Sequence, residues 1–305
     1  MNLKKIGGLA FILAIIGFCI ELIKLLPFHI DYALSPFPAV LENCLSPLQL
    51  NFFHARVFEY YNEANNTVIN YLNLFVYAIA LIGAVLFDVS KQKEMRLLRF
   101  FFALIVLQHI LGLFTNFLVT VVHFAAFSST WFHFSMYVCF NFLWVYISYT
   151  ALKELNKTQV LETLDTAEGS EGNKLAAAGK GLRLFHYIID NIFCLMLLSQ
   201  FTKLVNELGL GKIHFVTGPI PSLFILLLVF SLIYFPFYET LFGASPAKFL
   251  TGTRVTKRDG SCIDFKTSLI RTLCRSIPFE QISFFGDKGW HDGISDTRVV
   301  QEKQK

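Results

Sequence analysis

The sequence lacks the short motifs that mark metal, nucleotide, thiol and nucleophilic sites. Its six cysteines show no CxxC spacing, so neither a zinc site nor a disulfide framework is indicated. There is no HExxH sequence, and Lys248 after Gly243 and Pro246 does not complete a GxxxxGK[ST] phosphate loop. No Ser/His/Asp or Cys/His set stands out. We therefore expect no cofactor, no metal and no enzyme activity, with an enzyme acting on lipids as the enzymatic alternative.

Charged residues are few, at 16% of the 305 residues, whereas hydrophobic residues make up 54% and include 34 phenylalanines. The mean hydropathy of +0.54 is above that of an ordinary soluble protein. A helix needs about 20 mostly apolar residues to cross the hydrocarbon core of a bilayer. Six segments reach that length, so the sequence predicts an all-α polytopic membrane protein with six transmembrane helices, near residues 6–26, 68–87, 100–122, 131–152, 184–205 and 221–242.

The first apolar segment follows Lys4 and Lys5 and therefore has a second interpretation, as a signal peptide. The apolar run is longer than the core of a signal peptide, and no small-x-small cleavage site follows it. We expect it to be the first transmembrane helix.

The distribution of lysine and arginine predicts the orientation, because basic loops remain in the cytoplasm. With the N-terminus inside, the cytoplasmic segments hold 22 of the 26 basic residues. Both termini are therefore predicted to be cytoplasmic, in a multi-pass protein of the bacterial inner membrane. The net charge of +4 indicates attraction to anionic lipid headgroups rather than to nucleic acid.

Composition divides the chain into three parts. Residues 1–153 form a predicted four-helix unit with an extracytoplasmic loop at 27–67, which its aromatic content marks as an ordered cap. Residues 154–180 contain Thr, Glu, Gly and Ala in place of Phe and Leu, which predicts a flexible cytoplasmic linker. Residues 181–305 hold two transmembrane helices and a basic tail. No internal repeat relates the halves, so an inverted-repeat transporter is not indicated.

The tail after the sixth helix carries two local patterns. Residues 253–256 and 262–265 flank Asp259-Gly260, which predicts a short β-hairpin. From Ser268 to Phe285, apolar residues recur at helical spacing, which predicts an amphipathic helix lying on or dipping into the membrane.

The start of the fifth helix, Gly181-Leu182-Arg183-Leu184-Phe185-His186-Tyr187-Ile188-Ile189-Asp190, resembles the opening of the RDD family, which is named for one arginine and two aspartates. The resemblance continues in order through Tyr238-Glu239, Gly243, Ser245 to Lys248, Gly252 to Val255, Arg271, Arg275, Trp290-His291-Asp292, Thr297 and Val299-Val300. Ala247 and Asp296 depart from the family pattern. The resemblance implies a membrane module for which transport of unidentified ligands has been proposed and cation/proton exchange has been described in some members.

Arg183 and Asp190 share one helix face, because seven residues turn through about 700° and rise about 10.5 Å. That distance excludes a direct salt bridge by backbone geometry alone. His186 and Tyr187 lie between them on this polar seam, which must face protein or water rather than lipid.

Two interpretations of these residues stay open. In the first, Asp190 exchanges a proton or coordinates a small cation, Arg183 gates it, and Asp292 approaches from the tail. In the second, the aspartates pair with arginines to dock the tail in a non-enzymatic scaffold or assembly factor, which would bind a protein partner or oligomerise. The supporting candidates in either case are His186, Tyr187, Glu239, Lys248, Arg271, Arg275 and His291.

Polar residues also recur every seven or so residues in the third and fourth helices: His109, Asn116 and His123, then His133, Asn141 and Ser148. They predict either a haem pocket or proton path, or hydrogen bonds between packed helices. We favour the hydrogen bonds.

Overall fold

The computed structural model describes residues 2–25, 44–50, 67–122, 131–168, 177–209, 220–277 and 289–302. The predicted all-α membrane architecture is confirmed, since six helices within these described ranges are long and apolar enough to cross a bilayer. They are α1 (Leu3–Leu25), α2 (Thr67–Val89), α3 (Arg96–Val122), α4 (Trp131–Glu168), α5 (Lys180–Glu207) and α6 (Ile220–Phe242).

The predicted linker at 154–180 is wrong in its first part, because α4 continues as helix to Glu168. The change from apolar to polar composition after Leu152 does not end a helix, since Leu, Glu, Lys and Gln all favour helical structure. Gly169 is the first strong helix breaker after Leu152. Residues 169–176 lie outside the described residues, and α5 begins at Lys180.

Contacts divide the chain into two compact units. The N-terminal unit comprises Met1–Glu154 and Gln200–Ile213, and the C-terminal unit comprises Leu155–Ser199 and His214–Lys305. The end of α5 therefore belongs to the N-terminal unit, which the composition of the sequence did not indicate.

In the N-terminal unit, α1 packs against α2 through small residues. The buried face of α1 includes Gly7, Ala10, Ala14 and Gly17, spaced three or four apart. A methyl group on Gly17 would overlap the ring of Tyr77, and one on Gly7 would lie 2.7 Å from Phe87 Cδ1. Close approach of two membrane helices is therefore possible only because these positions carry no side chain.

Part of the predicted extracytoplasmic loop is buried between the helices. In the described stretch, residues 44–50, the backbone is mostly irregular and Cys44, Leu48 and Leu50 are buried. The Tyr77 hydroxyl donates to Leu48 O at 2.6 Å and lies 2.8 Å from Leu48 N. Residues 26–43 and 51–66 lie outside the described residues, so the extracytoplasmic cap stays a prediction.

Other helices hydrogen-bond the same stretch. Trp144 Nε1 donates to Cys44 O at 2.9 Å, Leu50 N donates to Asn73 Oδ1 at 2.7 Å, and Gln200 Nε2 donates to Leu50 O at 2.6 Å. Irregular backbone at membrane depth is stable only where protein groups or enclosed water satisfy it. Side chains of α2, α4 and α5 supply these hydrogen bonds.

His109 supports the hydrogen-bonding interpretation of the polar residues in α3 and α4. Its Nδ1 lies 2.7 Å from Asn141 Oδ1, and its Nε2 lies 2.9 Å from Pro47 O. Both ring nitrogens are occupied, which disfavours a role for His109 as a haem ligand. Asn116 and Ser148 are buried, whereas His123 and the side chain of His133 lie outside the described part of the chain.

In the C-terminal unit, α6 is followed by α7 (Pro246–Thr251), β1 (Thr253–Lys257), α8 (Phe265–Arg275), α9 (Trp290–Ile294) and β2 (Thr297–Gln301). The predicted hairpin partner is wrong. β1 pairs antiparallel with β2, with Val255 opposite Val299, and residues 262–265 form no strand. The Asp264 carboxylate accepts a hydrogen bond from Thr267 N at 2.7 Å and so caps α8, which places Phe265 in a helix.

Helix α8 is shorter than the predicted amphipathic segment and buries its polar face. It ends at Arg275, and residues 278–288 lie outside the described ranges. Arg271 and Ser268 are fully buried, whereas Phe265, Leu273 and Ile277 are exposed along the opposite side. The exposed stripe is the apolar surface expected of a helix at a membrane interface.

Candidate functional site

The candidate site is an ion network in the C-terminal unit. It contains three carboxylates, Asp190, Glu239 and Asp292, and four cations, Arg183, Lys248, Arg271 and Arg275. The network joins α5 and α6 to α7, α8 and α9.

Asp190 is buried on α5 and receives hydrogen bonds from the next elements of the unit. Tyr234 Oη donates to its Oδ1 at 2.9 Å, and Ser245 Oγ donates to its Oδ2 at 2.6 Å. Ala247 N, in the first turn of α7, is 3.4 Å from Oδ1. Lys248 Nζ lies 3.9 Å from Oδ2, which is a Coulombic contact rather than a hydrogen bond.

Glu239 is the most heavily paired carboxylate of the network and is fully buried. Arg275 Nη2 lies 2.8 Å from its Oε1, and Lys248 Nζ lies 3.2 Å from the same oxygen. Arg271 Nε and Ser268 Oγ approach its Oε2 at 3.4 and 3.1 Å. Glu239 therefore ties the end of α6 to both α7 and α8.

Asp292 connects the network to the end of the chain. Arg271 Nη1 lies 2.5 Å from its Oδ1, and Arg183 Nη1 lies 3.4 Å from its Oδ2. Burial alone would raise the pKa of Asp292, but the charges of Arg271, His291 and Arg183 hold that pKa below its ordinary value. Arg271 Nη1 also hydrogen-bonds Thr297 Oγ1 at the start of β2.

The pKa values of two buried cations of the tail, Lys248 and Arg275, shift in opposite directions. Burial lowers the pKa of Lys248, and the charges of Glu239 and Asp190 only partly oppose that effect. For Arg275 burial also acts to lower the pKa, but Glu239 outweighs it and the pKa is raised. Arg275 is held over the ring of Phe235, with its Cζ 4.1 Å from the centroid.

The remaining sequence candidates, His186, Tyr187 and His291, line one cavity. The Nε2 atom of His186 lies 2.6 Å from Thr251 Oγ1 and 3.2 Å from Thr253 Oγ1. The cavity has a volume of about 220 Å³ and is also lined by Arg183, Asp190, Asn191, Leu227, Leu228, Ser231, Phe235, Lys248, Thr272, Arg275, Ser276 and Val299.

Sequence reasoning missed Tyr234, Ser245 and Ser268 as partners of the carboxylates. Ser245 precedes Pro246, a typical first residue of a helix, so the sequence indicates that Ser245 lies at a helix start. The sequence does not indicate its hydrogen bond to Asp190, which lies 55 positions earlier. No group of three or more His, Cys, Asp or Glu residues suited to hold a metal occurs in the described ranges.

Six apolar helices and a buried ion network that joins two of them to the tail define an integral membrane protein. Residues 177–292 match the model of the RDD family, so this part of the chain is an RDD domain. The resemblance predicted from the sequence is thereby confirmed. No curated protein and no solved structure matches the chain.

Proposed function

We propose that the Arg/Asp set is a structural clamp that docks the tail onto α5 and α6, and that the protein is a non-enzymatic membrane scaffold or assembly factor. The observation that carries the proposal is the pairing of Glu239 and Asp292 with cations from other elements, at 2.5 to 3.4 Å. Such a set holds a fixed structure together rather than leaving a carboxylate open to exchange.

Because these ion pairs are buried, losing one of them should strongly lower the stability of the protein. Removing one partner of a buried ion pair leaves an uncompensated charge and destabilises a protein strongly, by about 3–5 kcal/mol. Arg271 and Glu239 are fully buried, and each contacts partners on other elements. Their loss would therefore release the tail more readily than it would alter a solute site.

A proton-coupled carrier of a small cation or polar solute is the second candidate. It is favoured by one observation, the position of Asp190 on the wall of the cavity. Against it, Arg183, Lys248 and Arg275 line the same cavity, and their charges would repel a cation.

Purified protein in proteoliposomes separates the two candidates. Cation-driven proton movement and thermal unfolding would be measured for wild type, Asp190→Asn and Asp296→Asn. Asp296 is 72% exposed in its side chain and supplies the same charge change outside the cavity. A clamp predicts no movement above empty vesicles and a lowered stability for Asp190→Asn alone. Exchange in wild type that disappears in a folded Asp190→Asn protein would replace the clamp with a carrier.

We further propose that both termini lie in the cytoplasm of a bacterial cell, on the basis of the 22 basic residues that this topology places inside. Reporter fusions at each terminus test it, since an enzyme that is active only in the periplasm should remain silent at both ends.

A further inference from the structure

The cavity of the C-terminal unit, about 220 Å³ in volume, is lined by both charged and apolar side chains. Arg183, Lys248 and Arg275 supply positive charge, whereas Leu227 and Leu228 supply apolar surface. A ligand that matches both kinds of lining is an anion attached to hydrocarbon.

The charge balance favours an anion. Three cations and one carboxylate, Asp190, line the cavity, and the whole network has four cations for three carboxylates. Arg275 Nη1 is buried and makes no hydrogen bond to any described residue, although Nη2 of the same side chain contacts Glu239. A buried charged donor needs an acceptor, and a phosphate oxygen is a good one.

The residues that line the cavity lie at different levels along α5 and α6. Arg183 lies three residues after the start of α5 at Lys180, whereas Leu227 and Leu228 lie seven and eight residues after the start of α6 at Ile220 and about 21 Å before its end at Phe242. Residues at a helix start and residues deep in a span meet the headgroup and the acyl region of a lipid, respectively. The exposed apolar stripe of α8, described above, is also a surface for lipid.

We infer that this cavity binds the phosphate of an anionic membrane phospholipid, with the headgroup against Arg183, Lys248 and Arg275 and an acyl chain along Leu227 and Leu228. Arginine and lysine are the usual phosphate contacts of proteins, and basic pockets between membrane helices accept lipid headgroups. The inference goes beyond the clamp, because the ion pairs of the network form with or without a lipid.

Native mass spectrometry of the full-length, delipidated protein tests the inference, with phosphatidylglycerol and phosphatidylcholine as probes. Wild type should bind phosphatidylglycerol about tenfold more tightly than phosphatidylcholine. Arg275→Gln removes a cavity cation, and Arg258→Gln is its control, because Arg258 is half-exposed, pairs with Asp296 and does not line the cavity. We expect affinity to fall about tenfold in Arg275→Gln and to stay unchanged in Arg258→Gln.

Ser231→Leu keeps the site testable if Arg275→Gln does not fold. Ser231 lines the cavity and belongs to no ion pair of the network, so a larger side chain there should weaken phosphatidylglycerol binding without disturbing the clamp. A folded Ser231→Leu protein that binds phosphatidylglycerol like wild type would overturn the site.

Inorganic phosphate tests whether the cavity binds the phosphate of a lipid or free phosphate. It should stabilise the protein against heat no more than chloride at equal ionic strength, since it lacks the acyl chain. Stabilisation by phosphate equal to that by phosphatidylglycerol would overturn the lipid as occupant. Equal binding of both lipids in every variant would overturn the site as a whole.

Discussion

The polar groups around residues 44–50 in the N-terminal unit and those of the ion network in the C-terminal unit are stabilised by different means. In the N-terminal unit, neutral side chains such as Tyr77, His109 and Trp144 hydrogen-bond the irregular stretch at 44–50. In the C-terminal unit, charged side chains bind one another around Glu239 and Asp292.

The difference follows from depth in the membrane and from the free energy of burying a charge there. His109 lies about 20 Å along its helix from Arg96, near the middle of the span Arg96–Leu118. Placing a charge at that depth has a large free-energy cost, whereas a neutral hydrogen bond between membrane helices is weak and has a small free-energy cost. In the ion network, Arg183 and Glu239 instead lie near the start of α5 and the end of α6, and four members come from the tail. Its one member near the middle of a span is Asp190, about 15 Å along α5, and hydroxyl groups are its main partners. The contrast implies that the two units should respond very differently to the loss of a single polar group.

The largest effect is expected for Arg271→Met. The substitution keeps most of the side-chain volume but leaves Asp292 and Glu239 without their shared, fully buried cation. We expect a loss of about 3–5 kcal/mol in the free energy of unfolding, measured in detergent. Arg258→Met removes a cation from an exposed pair and should cost at most about 1 kcal/mol. Equal losses in the two variants would contradict the network's role.

A smaller effect, about 1–3 kcal/mol, is expected for Gly17→Ala, because the added methyl group would overlap the ring of Tyr77. Tyr77 would have to move away from Leu48, so the buried stretch at 44–50 should also become more susceptible to proteolysis. Gly8→Ala is the matched control in the same helix, since nothing lies within 4 Å of its added methyl group. Unchanged unfolding of Gly17→Ala would show that α1 and α2 pack less closely.

Acid should weaken the C-terminal unit through Asp292. Its pKa is lowered in the folded state, so its contribution to stability is fully present above the ordinary pKa of 3.8 and is lost as pH falls through the lowered folded value. The thermal unfolding temperature of wild type should therefore fall on acidification below pH 3.8 more steeply than that of Asp292→Asn. Unfolding temperatures that fall in parallel in the two proteins would show that Asp292 does not cause the loss of stability in acid.

The smallest effect is expected for the pair His109 and Asn141. A double-mutant cycle with His109→Phe and Asn141→Leu should give a coupling of about 0.6 kcal/mol, typical of hydrogen bonds between membrane helices. A coupling as large as that of the buried ion pairs would abolish the contrast between the units.

The sequence predicted much of the fold because membrane spans are set by length and apolar composition alone, and the RDD resemblance by residues in fixed order. It failed where the outcome depends on distant contacts. β1 pairs with β2 rather than with residues 262–265, since Asp264 caps a helix that competes for Phe265. The polarity change after Leu152 was mistaken for a linker, although no residue before Gly169 breaks the helix.

The candidate site was predicted in its members but not in its pairing. Arg183 and Asp190 share a helix face as expected, yet Arg183 pairs with Asp292, and Asp190 is bound mainly by hydroxyl groups. Spacing along one helix fixes which side chains point together, whereas their partners come from elements more than 40 residues away.

The most direct test of the clamp is the alkylation of Cys274 by a water-soluble maleimide. Cys274 is buried on α8, whereas Cys262 before the same helix is exposed and serves as the internal reference. The clamp predicts that Cys274 reacts far more slowly than Cys262 in wild type and approaches the rate of Cys262 in Arg271→Met, but not in Arg258→Met. A folded Arg271→Met protein in which Cys274 stays as protected as in wild type would contradict the clamp.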